Sequence, residues 1–238
     1  MKNSLFPLLF ALLAASSPGS AQTPASAPSP KTDAAPATAQ TIIPPLDQVT
    51  DSAVWRVHNR AAKFMDVAGK KAAYLDARTD AGFVWLVGSD FSEGTIELDL
   101  RGRDVDQKSF VGLAFRGVDD TTYDAVYFRP FNFKSADIPR RARAVQYISA
   151  PNFDWPKLRA DFPGKYEATV SPVPDPNGWF HARIVVAERK VSVFVNDATA
   201  PSLVITELTA RRGGPIGLWV GNGSDGAFAN LKITPKKQ

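Results

Sequence analysis

Glu97 and Asp99 are two residues apart in the stretch GTIELDLRGRD, residues 94–104. Ile96, Leu98 and Leu100 alternate with Glu97, Asp99 and Arg101, which predicts a strand sending its apolar side chains to one face and its charged ones to the other. Carboxylates so placed are roughly 6–7 Å apart at their Cα atoms, and glycosidases work with a pair of carboxylates. Arg101 on the same face favours ionised carboxylates and so opposes an acid role. His181, in the alternating run GWFHARIVVA, is a candidate general base beside them. Glu97, Asp99 and His181 are therefore the catalytic candidates. The chain has only two histidines, with neither HxH nor HExxH spacing, so no multi-histidine metal centre is expected. A serine elbow, a phosphate loop and a dinucleotide fingerprint are also missing.

The elements that must position these groups are strands. Short alternating runs broken by Gly, Pro, Asp and Asn recur from residue 53 to residue 233, among them SFVGLAFRG, YDAVYFRP, RAVQYIS, KVSVFVN and PIGLWVG. No window carries a convincing helical stripe. A dozen short strands joined by tight turns predict an all-β fold, a two-sheet antiparallel β-sandwich or jelly roll. AERK between two Val-rich runs reads as a hairpin turn. The exception is residues 151–176, dense in aromatics and prolines, where DWPKLRADF predicts one short helix and Phe153, Trp155 and Phe162 are expected to cover an open end of the sandwich.

With aliphatic side chains inward, Val111, Leu113 and Phe115 face the core and Arg116 points out. By the same rule Tyr127, Arg129, His181, Arg183 and Trp219 point out. If these strands share one sheet, its outer face gathers Glu97, Asp99 and His181 with Arg116, Tyr127, Arg129, Gln146, Arg183 and Trp219 as substrate-binding groups. Planar donors and acceptors edged by aromatic rings suit a carbohydrate ligand. The competing expectation is a lattice of cross-strand ion pairs that only keeps the face soluble.

Composition frames these candidates. Lys2, the apolar run LFPLLFALLAA and the small-residue exit SSPGSA form an export signal over residues 1–21, too short to span a membrane, so the mature protein is expected to be periplasmic or secreted. Residues 22–45, rich in Pro, Ala, Ser and Thr, read as a tether, and 46–238 as one β-sandwich domain. With no cysteine there is no disulfide framework. Twenty-eight basic and 24 acidic residues are mixed along the chain, so the net charge of +4 does not mark a nucleic-acid surface. Oligomeric state has no signature in the sequence.

GWFHARIVVAERKVSVFVND followed by GPIGLWVGNGSDGAFANLKI, with the earlier FSEGTIELDLRGRD and SFVGLAFRG, resembles the concanavalin A-like lectin/glucanase superfamily. The likeness is greatest to the laminin-G-like and 3-keto-disaccharide hydrolase domains of exported bacterial proteins. The resemblance implies a concanavalin A-like jelly roll with a glycan on its concave sheet. It equally implies an enzyme on oxidised glycosides, where acidity next to a 3-keto group allows a base-led elimination; a purely structural or protein-binding sandwich is the third alternative. Family-16 glycoside hydrolases of this fold carry Glu-x-Asp-x-Glu or Glu-x-Asp-x-x-Glu, but Arg101 or Gly102 takes the place of the second Glu here, which disfavours their mechanism. The resemblance requires no cofactor but allows calcium, for which the turns GVDDTTYD and NGSDG are the candidates, neither with EF-hand spacing.

Overall fold

The computed structural model describes residues 40–237; the export signal and all but the last residues of the tether lie outside them. Among the described residues the strands, in chain order, are β1 (Trp55–His58), β2 (Ala62–Val67), β3 (Lys70–Leu75), β4 (Gly82–Leu86), β5 (Gly94–Arg101), β6 (Val111–Phe115) and β7 (Asp124–Phe128). They continue as β8 (Val145–Ser149), β9 (Glu167–Ala168), β10 (Phe180–Ala187), β11 (Lys190–Val195), β12 (Leu203–Thr206), β13 (Gly217–Val220) and β14 (Gly226–Pro235). Three short helices interrupt them: α1 (Pro130–Phe133), α2 (Ile138–Arg141) and α3 (Trp155–Asp161). None is long and apolar enough to cross a membrane.

The strands form two antiparallel seven-stranded sheets, β1-β4-β13-β6-β7-β8-β9 and β12-β11-β10-β5-β14-β3-β2. The second is called here the β5 sheet and the first the β7 sheet. Their inner faces close on one core. Leu113, Val126 and Leu218 of the β7 sheet and Ile96, Leu98, Ile184 and Val193 of the β5 sheet are all buried, and Phe128 meets Phe180 edge to face across the gap, with ring centroids 5.0 Å apart. The inward assignments of the alternation rule therefore hold strand by strand. In the β10–β11 hairpin Glu188 and Arg189 both take positive φ, 51° and 62°, the left-handed geometry of the two-residue turn that matches strand twist.

Two differences from the sequence expectation set up the site. Consecutive strands β5 and β6 lie in different sheets, so Glu97, Asp99, His181 and Arg183 do not share a face with Tyr127, Arg129, Gln146 and Trp219. Residues 41–45, placed in the tether by their composition, are held to the sandwich. Ile42 exchanges both backbone hydrogen bonds with Ile233 (2.7 and 2.9 Å), and Trp55 Nε1 donates to Pro45 O at 3.0 Å. The proline-rich composition hid that pairing because a single β-bridge has no alternation to display.

Candidate functional site

On the outer face of the β5 sheet, β5 and β10 pair with His181 opposite Asp99 and Arg183 opposite Glu97. The three catalytic candidates do meet. His181 Nδ1 is 2.8 Å from Asp99 Oδ1 and Nε2 is 3.6 Å from Glu97 Oε1. Asp99 Oδ2 also accepts from Lys70 Nζ at 2.6 Å and from Asn230 Nδ2 at 2.7 Å. Burial alone would raise the Asp99 carboxyl, but hydrogen bonds from His181, Lys70 and Asn230 outweigh it and hold the group well below the usual carboxylate range. The Asp99 hydrogen bond, opposed by burial and reinforced by Glu97, raises His181 above its ordinary value. A histidine with a carboxylate at each ring nitrogen favours the imidazolium, the opposite of what a general base needs. Arg183 lies over the Phe194 ring, 3.7 Å from its centroid. Cross-strand ion pairs of the competing expectation thus run over this face, and Lys70 joins His181 and Asn230 in keeping Asp99 ionised.

Arg116 is the second correction. It does not point out. After Phe115 the backbone turns to φ 52°, ending the strand's alternation, and the side chain enters the sandwich with no exposure. There Nη1 lies 2.8 Å from Glu207 Oε1 and 3.7 Å from Asp124 Oδ2, while Nε and Nη2 donate to Ser92 O. It is a buried tie between loops and strands and reaches no ligand surface.

The outer face of the β7 sheet is different. Register places His58, Phe83, Trp219, Gly112, Tyr127, Gln146 and Glu167 opposite one another, a single row crossing all seven strands. Gly112 leaves the space over which the Tyr127 backbone and Cβ pass, so any side chain there would collide with β7. Tyr127 and Trp219 contact each other across it, with centroids 4.8 Å apart, and Phe110 meets Tyr127 edge on at 6.2 Å. Tyr127 and Trp219 point outward as the alternation requires, yet they are buried. The β7–β8 connection with α1 and α2 and the β8–β9 connection with α3 rise over the sheet and enclose a cleft of about 620 Å³.

The walls of the cleft are polar. Arg129 Nη2 donates to the Tyr127 hydroxyl at 2.8 Å and to Gln146 Oε1 at 2.6 Å, and its Nη1 donates to Arg143 O. Burial raises the Tyr127 hydroxyl, keeping it neutral. Arg159 makes a two-pronged contact with Glu167 (3.0 and 2.7 Å), and the same carboxylate faces Arg143 at 3.6 Å and Arg129 at 3.9 Å. Asp154 caps α3 by accepting from Lys157 N at 3.1 Å, and Leu158 buries the helix. This leaves Trp155 half exposed at the cleft with Arg159 over its ring. Of the three aromatics expected to cover an open end, Trp155 lines the cleft over the β7 sheet, whereas Phe153 packs against the core and Phe162 meets Tyr166 edge to face. Asn132 Oδ1, Gln146 Nε2 and Trp219 Nε1 are buried without a hydrogen-bond partner, and Asn132 and Trp219 line the cleft.

Of the substrate-binding candidates, Tyr127, Arg129, Gln146 and Trp219 come together here, Arg183 lies on the opposite sheet and Arg116 is inside. Phe110, Asn132, Arg143, Arg159 and Glu167 were not foreseen. Glu167 sits in a two-residue strand too short to alternate, and the others lie on connections, where only the aromatic density of residues 151–176 gave a signal. Among the described residues no group of three His, Asp or Glu is placed to hold a metal. In the two Asp-rich turns, Asp119 accepts from Thr121, Asp120 from Arg56 and Trp85 Nε1, and Asp225 from Arg103 and Tyr74, so these carboxylates are already engaged within the protein.

No protein-family model and no curated protein matches the chain. Solved structures do match. The carbohydrate-binding module CBM66 from Bacillus subtilis aligns at 15% identity over 75% of this chain and 94% of that one, with a TM-score of 0.53. The VIP36 exoplasmic/lumenal domain in its Ca2+/Man3GlcNAc-bound form aligns at 10% identity over 83% and 89%, with a TM-score of 0.55. The Bacillus licheniformis β-glucanase aligns at 12% identity over 83% and 98%, with a TM-score of 0.52. At such identities the likeness is one of fold, and the fold is the concanavalin A-like jelly roll.

Proposed function

We propose that this protein is an exported glycan-binding sandwich, carried by its N-terminal signal to the periplasm or outside the cell, that holds a carbohydrate in the cleft over the β7 sheet. The observation that carries the reading is the cleft itself. An aromatic floor of Phe110, Tyr127 and Trp219, with Trp155 at its rim, lies beside buried amides of Asn132 and Gln146 that each keep one polar atom unpaired. Rings supply faces for the C–H side of a sugar, and an unpaired buried acceptor or donor is relieved by a hydroxyl. The CBM66 and VIP36 neighbours support the reading only through their shared fold.

Binding is favoured over catalysis by Glu97, Asp99 and His181, because those groups lie on the other sheet, none lines the cleft, and each is engaged by an internal partner. The cleft offers a ligand guanidiniums and amides, so the reading needs no calcium, and glycan retention is expected to survive EDTA. The test is a glycan array probed with the full mature chain, followed by titration calorimetry on the best ligand. Trp155→Ala, at an exposed position that spares the core, is expected to weaken binding roughly tenfold, about 1.4 kcal/mol. Unchanged affinity in this variant, or turnover of a 3-keto-glucoside that Asp99→Asn abolishes, would move the function away from the cleft.

A further inference from the structure

The cleft also carries an unusual balance of charge. Arg129, Arg143 and Arg159 all face the single Glu167 carboxylate, at 3.9, 3.6 and 2.7 Å. Glu167 is buried and already receives two hydrogen bonds from Arg159. The remaining charged groups of the lining do not redress this. Arg140 is paired with Asp106, and Asp154 is occupied in capping α3. Asp80 stands at the β4 edge of the cleft, three strands across the sheet from β7. One carboxylate therefore serves three guanidiniums. The arrangement is graded in access: the Arg129 side chain is 5% exposed, whereas those of Arg159 and Arg143 are 26% and 38% exposed. Arg129 is fixed beneath by Tyr127, Gln146 and Arg143 O, while the other two keep donors open to the cleft.

We propose that the glycan recognised here is acidic, with a uronate carboxylate or a sulfate ester received between Arg143 and Arg159 while neighbouring sugar rings lie on the aromatic floor. The proposal rests on the cleft being a glycan site and adds the class of glycan. Sugar hydroxyls accept hydrogen bonds but neutralise nothing, whereas an anionic oxygen pair matches the guanidinium fork and compensates the excess charge of a partly desolvated cluster. The Asn132 amide, which lines the cleft, then meets an uncharged hydroxyl of the same ligand.

The test uses matched pairs that differ only in charge: oligouronates against the same oligosaccharides after carboxyl reduction, and sulfated oligosaccharides against their desulfated forms. Titration calorimetry with the full mature chain is expected to give at least tenfold tighter binding for the acidic member of one pair, which also tells carboxylate from sulfate. That preference should shrink as sodium chloride is added. Arg143→Gln and Arg159→Gln should each weaken the acidic ligand roughly tenfold, matching the strength of a hydrogen bond to a charged group, and so narrow its advantage over the neutral member of the pair. Neutral members binding as tightly as acidic ones, or arginine variants that retain the preference, would overturn the acidic assignment and leave the glycan reading in place. Binding of neither member of any pair, together with an empty glycan array, would overturn both.

Discussion

Asp99 uses both of its carboxylate oxygens, Oδ1 toward His181 Nδ1 and Oδ2 toward Lys70 and Asn230. That saturation has a measurable pH signature. His181 is raised in the fold, so its contribution is fully present below its unfolded value of about 6.5 and is lost as pH rises through the higher folded value. Asp99 is depressed, so its contribution is present above its unfolded value of about 3.9 and is lost as pH falls toward the lower folded value. Stability from this trio should therefore peak between about pH 4 and 6.5 and decline on the alkaline side. Urea unfolding midpoints measured from about pH 5 to about pH 9 are expected to show the alkaline decline in the native chain and to lose it in His181→Gln; an undiminished decline in the variant would assign it to other groups. The residue types near Asp99 gave no warning, since Lys70 and Asn230 come from distant parts of the chain.

At the scale of elements, the β10–β11 hairpin pairs Ala187 with Lys190 around Glu188 and Arg189, two side chains held in the left-handed region. Such residues carry a steric cost of about 1–2 kcal/mol each that Asn and Gly largely avoid. Replacing the pair by Glu188→Asn and Arg189→Gly keeps the Glu188 N–H bond to Glu93 and the Arg189 carbonyl bond to Glu207 N. The double variant is expected to gain about 1 kcal/mol and a few degrees in thermal midpoint by differential scanning calorimetry. A lower midpoint would mean that the Glu188 or Arg189 side chain contributes more than the turn geometry costs. The turn was readable from AERK between Val-rich runs because a hairpin is local. The two-residue β9 and the connections carrying α1 and α2 were not readable, since their shape comes from what they pack against: α1 presents Phe133 to Phe180 across the core and Phe131 to Phe110 at the cleft.

For the whole molecule, the first described residues complete a sheet edge. A chain beginning at Leu46 would forfeit the paired hydrogen bonds of Ile42 with Ile233 and leave Trp55 Nε1, buried at 1% exposure, without its Pro45 acceptor. Compared with a chain beginning at Gln40, it is expected to be less stable by on the order of 1–3 kcal/mol in chemical unfolding, and equal stability would show that the segment is dispensable. The sequence by itself determined that the domain is a two-sheet β-sandwich of concanavalin A-like type, and it determined which side chains of β5, β6, β7, β10 and β13 face the core. The core-facing assignment follows from a period of two that those strands carry within themselves, and the concanavalin A-like type from the resemblance of the runs quoted above. Only the tertiary structure decided that β5 and β10 lie in one sheet and β6, β7 and β13 in the other, that Arg116 turns inward, and that Tyr127, Gln146 and Trp219 lie beneath a cover. Those outcomes depend on pairing between strands far apart in the chain and on how long connections pack, and neither leaves a local pattern. Apart from Arg116, alternation therefore placed the outward side chains on their own sheets, and the sheet partition separated an ion-paired surface from an arginine-walled cleft.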